Sequence, residues 1–143
     1  MLNKEHRIQI PECGPIILTA NYVYKKCKEY YKLLGQEIGK WPKNATITEV
    51  SFKYEVYKWR PFQKYITMWV CYSEDENNSG GNMFDLPLDI AIGAKTPKEC
   101  AIMQLESDMS DHKDDLEAMR EDMTVTKRNI RRKQKQIDKI QNA

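Results

Sequence analysis

Residues 96–143, TPKECAIMQLESDMSDHKDDLEAMREDMTVTKRNIRRKQKQIDKIQNA, decide how the chain is organised. Thr96 suits an N-cap, Pro97 the first helical position and Glu99 the reciprocal capping-box position. Neither Gly nor Pro follows Pro97, so nothing local stops the helix. Alternating steps of three and four from Ile102 trace a heptad seam. Ile102, Met109, Leu116, Met123, Ile130 and Ile137 fall at position a; Leu105, His112, Met119, Thr126, Lys133 and Ile140 fall at position d. At roughly 1.5 Å per residue the seam runs about 57 Å.

A lone helix cannot bury its own stripe. Each apolar seam side chain gains roughly 1.5–3 kcal/mol when covered, before entropy is subtracted. The cover must be a second copy, the rest of the chain, or a helix of another protein. Charges beside the seam favour a parallel pair. There, g-position Asp108, Asp115 and Asp122 meet e-position Lys113, Arg120 and Lys127 of the partner, all opposite in sign. The coarse asymmetry, an acidic first half and a basic second half, points instead to antiparallel pairing. Screening beyond about 8–10 Å weakens that coarse effect. His112 would face its symmetry mate at a d position, so protonation in mild acid should weaken self-association.

The basic end holds Lys127, Arg128, Arg131, Arg132, Lys133, Lys135 and Lys139, opposed by Asp138 alone. Cations there complement the helix dipole, which is a sufficient structural reason for them. Two such ends side by side would also form a contact for a polyanion or an acidic protein. No base-reading pattern accompanies them.

Preceding this helix, residues 1–95 predict an α+β head. Residues 5–18 read as two short strands around a Pro11–Pro15 turn. Residues 19–40 read as a helix capped by Thr19 or Asn21, with Val23, Cys27, Tyr30, Leu34 and Ile38 on one face and Gly39 at its end. Lysines 25, 26, 28 and 32 near Tyr22, Tyr24 and Tyr31 are either a solvated face or a phosphate contact. Residues 46–58 and 63–72 predict a long hairpin, the first arm alternating through Val50, Phe52, Tyr54 and Val56. The second arm is apolar on both faces and should be central. The N-terminal strands are expected to extend this small antiparallel sheet, with the first helix packed on it. At the hairpin tip, Trp59, Arg60 and Phe62 are either a contact site or core cover. Residues 73–83 read as a polar loop, and residues 84–92 as a strand.

Chemistry-bearing motifs are scarce. Asp75, Asn77, Ser79 and Gly80 open like a calcium loop, but the twelfth position is Leu86 where a bidentate Glu is needed. His6 and Cys13 lack a third group to orient them. There is no phosphate loop, dinucleotide fingerprint, zinc spacing or nucleophile elbow. No catalytic, cofactor or metal residue is therefore assigned, and the chain reads as non-enzymatic. The four cysteines, Cys13, Cys27, Cys71 and Cys100, are scattered, and residues 1–9 carry charge where a secretory leader needs an apolar core. Reduced thiols, solubility and a cytoplasmic setting follow as expectations. With 143 residues and a net charge of +2, the composition suits one modest core plus an extended element. Its richness in Lys, Asn, Ile and Tyr suits an AT-rich viral or mobile-element coding sequence. The resulting expectation is an assembly or interaction protein, a structural component or small inhibitor, that self-associates or docks through its C-terminal helix. The alternative is a sequence-independent nucleic-acid-associated protein acting through the basic helix end.

Overall fold

The computed structural model describes residues 1–142 except Trp59 and Pro61. The fold is α+β; the described residues form two antiparallel sheets, two short helices and one long helix. Two strands, β1 (His6–Ile10) and β2 (Gly14–Leu18), form a ribbon joined by a tight turn. Pairing sets His6 opposite Leu18 and Ile8 opposite Ile16, so one face carries all four. Arg7, Gln9 and Ile17 occupy the other face and are exposed. Helix α1 (Ala20–Leu33) follows, with Thr19 Oγ1 accepting from the Tyr22 amide at 3.2 Å.

The larger sheet is a meander of β3 (Thr46–Val56), β4 (Lys64–Ser73) and β5 (Ser79–Pro87), in that order. As its two apolar faces imply, β4 is central. Register puts Phe52, Met68 and Phe84 in one row and Tyr54, Ile66 and Leu86 in the next. These rows build the core with Ile10, Leu18, Val23, Cys27 and Tyr30. Short helix α2 (Leu88–Ala91) then leads to α3 (Pro97–Gln141).

Several expectations are corrected. The N-terminal strands do not extend the large sheet but form their own. The ribbon has one apolar face, and laying that face on the core buries Ile10 and Leu18 and sets His6 edge-on to Phe52 at 4.9 Å. Edge pairing would not bury that face. Helix α1 ends at Leu33, not near residue 39, because Gly35 takes the left-handed conformation (φ 73°) and its amide closes on the Lys32 carbonyl. Ile38 still packs on the core from the segment beyond, which explains why the apolar period runs past the helix. Residues 79–83 belong to β5 rather than to a loop: pairing with β4 outweighs the poor strand propensity of Gly80 and Gly81. Residues 88–91 are helical, not extended.

Helix α1 covers one carbonyl of β5. The Tyr31 hydroxyl donates to the Asp85 carbonyl at 2.7 Å, and the Cys27 thiol approaches the same oxygen at 3.8 Å. Satisfying that carbonyl protects the edge at that point from foreign strands.

Compactness divides the chain into residues 1–105 and 106–143. The first turns of α3 belong to the head, where Cys100 and Ala101 are buried.

Candidate functional site

The seam residues share one physical situation. From Asp108 to Asn142 every described residue is exposed. Met109, Leu116, Met119, Met123, Ile130 and Ile137 keep between 47 and 64% of their surface in solvent, and Ile140 keeps 77%. Ile102 and Leu105 are also exposed, although neighbouring Cys100 and Ala101 are buried. His112, Thr126 and Lys133 lie in the same exposed run. The helix starts as its cap implies, with the Glu99 amide donating to Thr96 Oγ1 at 3.2 Å.

A strict seven-residue repeat drifts about 20° per heptad around a straight helix. Over five heptads the stripe would wander about a quarter-turn unless the helix supercoils.

At the basic end, Asp138 Oδ1 accepts from the Gln134 side-chain amide at 3.1 Å. It is the only carboxylate side chain after Lys127. Among the described residues, no ion pair involves Lys127, Arg128, Arg131, Arg132, Lys133, Lys135 or Lys139.

Comparison of the chain with protein-family models, curated proteins and solved structures finds no match.

The hairpin tip is a different kind of feature. Trp59 lies outside the described residues. Arg60 folds back: its guanidinium pairs with Asp85 Oδ2 at 3.0 Å and lies 4.4 and 5.0 Å from the ring centroids of Tyr57 and Tyr65. The other Asp85 oxygen accepts from Thr67 Oγ1 at 2.7 Å. Phe62 is half-buried against the core. This buried Asp85–Thr67–Arg60 cluster escaped sequence reasoning. Its signal was an Asp between Phe84 and Leu86 in an apolar strand, which requires a cation from elsewhere.

The remaining candidates are not brought together. His6 stands at the open end of the β1–β2 ribbon and Cys13 in its turn. Burial, and secondarily Lys4, push the His6 imidazole below its usual range. Cys13 is exposed; Cys27 and Cys100 are buried, and burial raises the Cys27 thiol to about 12. A thiol so raised is a poor nucleophile. Asp75 Oδ1 accepts from the amides of Asn77 and Asn78 at 2.8 Å each, closing the β4–β5 turn. Among the described residues no cluster of His, Cys, Asp and Glu could hold a metal ion, and no helix is long and apolar enough to cross a membrane.

Proposed function

We propose that the protein is a non-enzymatic assembly protein whose C-terminal helix pairs in parallel with that of a second copy. The observation that carries this reading is the uncovered apolar seam of α3, sustained from Ile102 to Ile140. The g-position aspartates favour a parallel partner, since each meets a cation across the pair. The paired helices hold two heads at one end, as a structural component or an inhibitor acting on a two-fold target would require.

Sedimentation equilibrium of the full chain tests it. Twice the chain mass at micromolar concentration is expected, and Leu116→Asp with Met123→Asp should yield a monomer with an intact head. A wild-type monomer at high micromolar concentration overturns the proposal.

A second reading is favoured by the unneutralised cations from Lys127 to Lys139. Doubled in a parallel pair, they form a sequence-independent contact for nucleic-acid phosphates. Retention of DNA that falls steeply with salt supports this role; no retention at low salt removes it.

A further inference from the structure

The C-terminal end of α1 forms a cleft of about 260 Å³, lined by Tyr24, Lys28, Lys32, Glu37, Ile38 and Lys40. Its walls follow from the local sequence. Lys28 and Lys32, four residues apart, share one face of α1. The left-handed turn at Gly35 then brings Glu37, Ile38 and Lys40 alongside them. Three exposed lysines and one glutamate line this cleft. Among the described residues none of the three lies within ion-pair distance of an acid, Glu37 included, whereas neighbouring Lys26 reaches Glu29 at 3.9 Å. An anion in the cleft would be attracted by all three at once.

Dipole compensation accounts for Lys32, in the last turn of α1. It does not account for Lys28 in mid-helix, nor for Lys40 beyond the helix.

The cleft also has an aromatic wall. The Tyr24 ring is held between Trp41, with centroids 5.0 Å apart, and Phe84 at 5.6 Å edge-on. Ile38 adds an aliphatic surface and is anchored against the core. A fixed ring and an aliphatic side chain beside three cations match a ligand with a flat apolar part and a phosphate. At about 260 Å³ the cleft lies just below the usual range of about 300–1,000 Å³ for ligand pockets, so a mononucleotide would sit in it with part of its surface in solvent. A duplex presents its bases stacked inside and could not offer one to this wall.

We infer that this cleft binds a nucleotide, free or as one unit of a single strand, its phosphate on Lys28, Lys32 and Lys40 and its base against Tyr24 and Ile38. The inference does not depend on helix pairing, because every lining residue belongs to the head.

The test uses the full chain and two probes: adenosine monophosphate by calorimetry and a fluorescent oligothymidylate by anisotropy. One phosphate neutralised on a single strand predicts an affinity falling about 2- to 3-fold between about 50 and 200 mM salt. Neutralising the cleft with Lys28→Gln, Lys32→Gln and Lys40→Gln should weaken both probes at least tenfold. Neutralising the helix end with Arg131→Gln, Arg132→Gln and Lys135→Gln should leave mononucleotide binding unchanged. A strand bound more tightly than the mononucleotide identifies the single-strand source; equal affinity identifies the free nucleotide. Undiminished binding by the cleft variant, or no binding of either probe at about 50 mM salt, overturns the inference. Strand binding lost only in the helix-end variant also overturns it, while supporting the basic-end reading instead.

Discussion

Asp85 is the residue on which the hairpin tip depends. It is 9% exposed, and its carboxylate has two partners from different parts of the hairpin, Thr67 on β4 and Arg60 in the turn. Removing it takes an acidic partner from a guanidinium that is 28% exposed and lies against two tyrosine rings. Breaking a half-buried pair of this kind costs about 1–3 kcal/mol, between the exposed and fully buried cases, whereas removing both partners costs less than the sum. In urea unfolding, Asp85→Ala should therefore be more destabilising than Arg60→Ala adds to it. Additive effects in the double variant would show the pair to be uncoupled. His6 gives a pH prediction at the same scale. Its Nε2 is buried without a hydrogen-bond partner among the described residues, and burial lowers its pKa. The unfolded chain then binds the proton better. Stability is full above the unfolded value near 6.5 and is lost as pH falls through it toward the lower folded value. Other groups also take up protons as the pH falls, so wild-type acid sensitivity alone does not isolate His6. The difference between wild type and His6→Phe does: the variant should lose less stability between about pH 7.5 and 5.5. Parallel curves would place the proton elsewhere.

At the scale of elements, most of the head was legible because its strands and first helix obey their periods. The second arm of the hairpin announced itself as central by being apolar on both faces, and Thr19 marked the start of α1. What was not legible was decided by partners distant in the chain. Gly80 and Gly81 read as loop residues, yet they pair with Tyr72 and Cys71, and the Tyr72 ring covers Gly80 so closely that a Cβ there would lie 2.8 Å from its hydroxyl. A side-chain-free strand makes sense only once that ring is known. The end of α1 was missed for the opposite reason: two glycines, Gly35 and Gly39, both suit a helix end, and the stripe extended to Ile38. Only Gly35 has positive φ. A Cβ at Gly35 would meet nothing within 4 Å, so substitution strains the backbone without a clash. Gly35→Ala should lower the unfolding free energy by about 1 kcal/mol and Gly35→Asn by less, since Asn tolerates this conformation. Equal stability of all three would mean that this turn relaxes freely. Of the candidate site, the heptad period could be read directly from α3, whereas the lysine cleft required the turn at Gly35 to be placed first.

For the whole molecule, the proposed pairing raises the question of which way two α3 helices would run, and this can be measured. In the parallel arrangement Asp108, Asp115 and Asp122 each face a cation, and two-fold symmetry makes every such pair occur twice. Exposed pairs contribute roughly 0.3–0.5 kcal/mol each. Replacing all three aspartates with lysine removes about 2–3 kcal/mol even before repulsion is counted, which weakens dimerisation roughly 20- to 150-fold. Antiparallel pairing centred on the seam would be weakened by the same charge reversal, so the triple variant alone does not separate the two arrangements. In the antiparallel case the coarse attraction between an acidic half and a basic half holds the pair, and Lys113 sits near Lys127 and already bears the repulsion. A cysteine at position 137 separates the two arrangements. Ile137 is at position a near the end of the seam, and in a parallel pair it meets its own copy. In a chain whose native cysteines are replaced by serine or alanine, Ile137→Cys should form an interchain disulfide readily under mild oxidation. The two cysteines would lie at opposite ends of an antiparallel pair, far beyond the roughly 7 Å that a disulfide can bridge between Cα atoms. Rapid crosslinking together with a weakened Asp→Lys triple variant is the outcome the parallel assembly requires. A dimer that neither crosslinks nor responds to charge reversal would be held by something other than this seam.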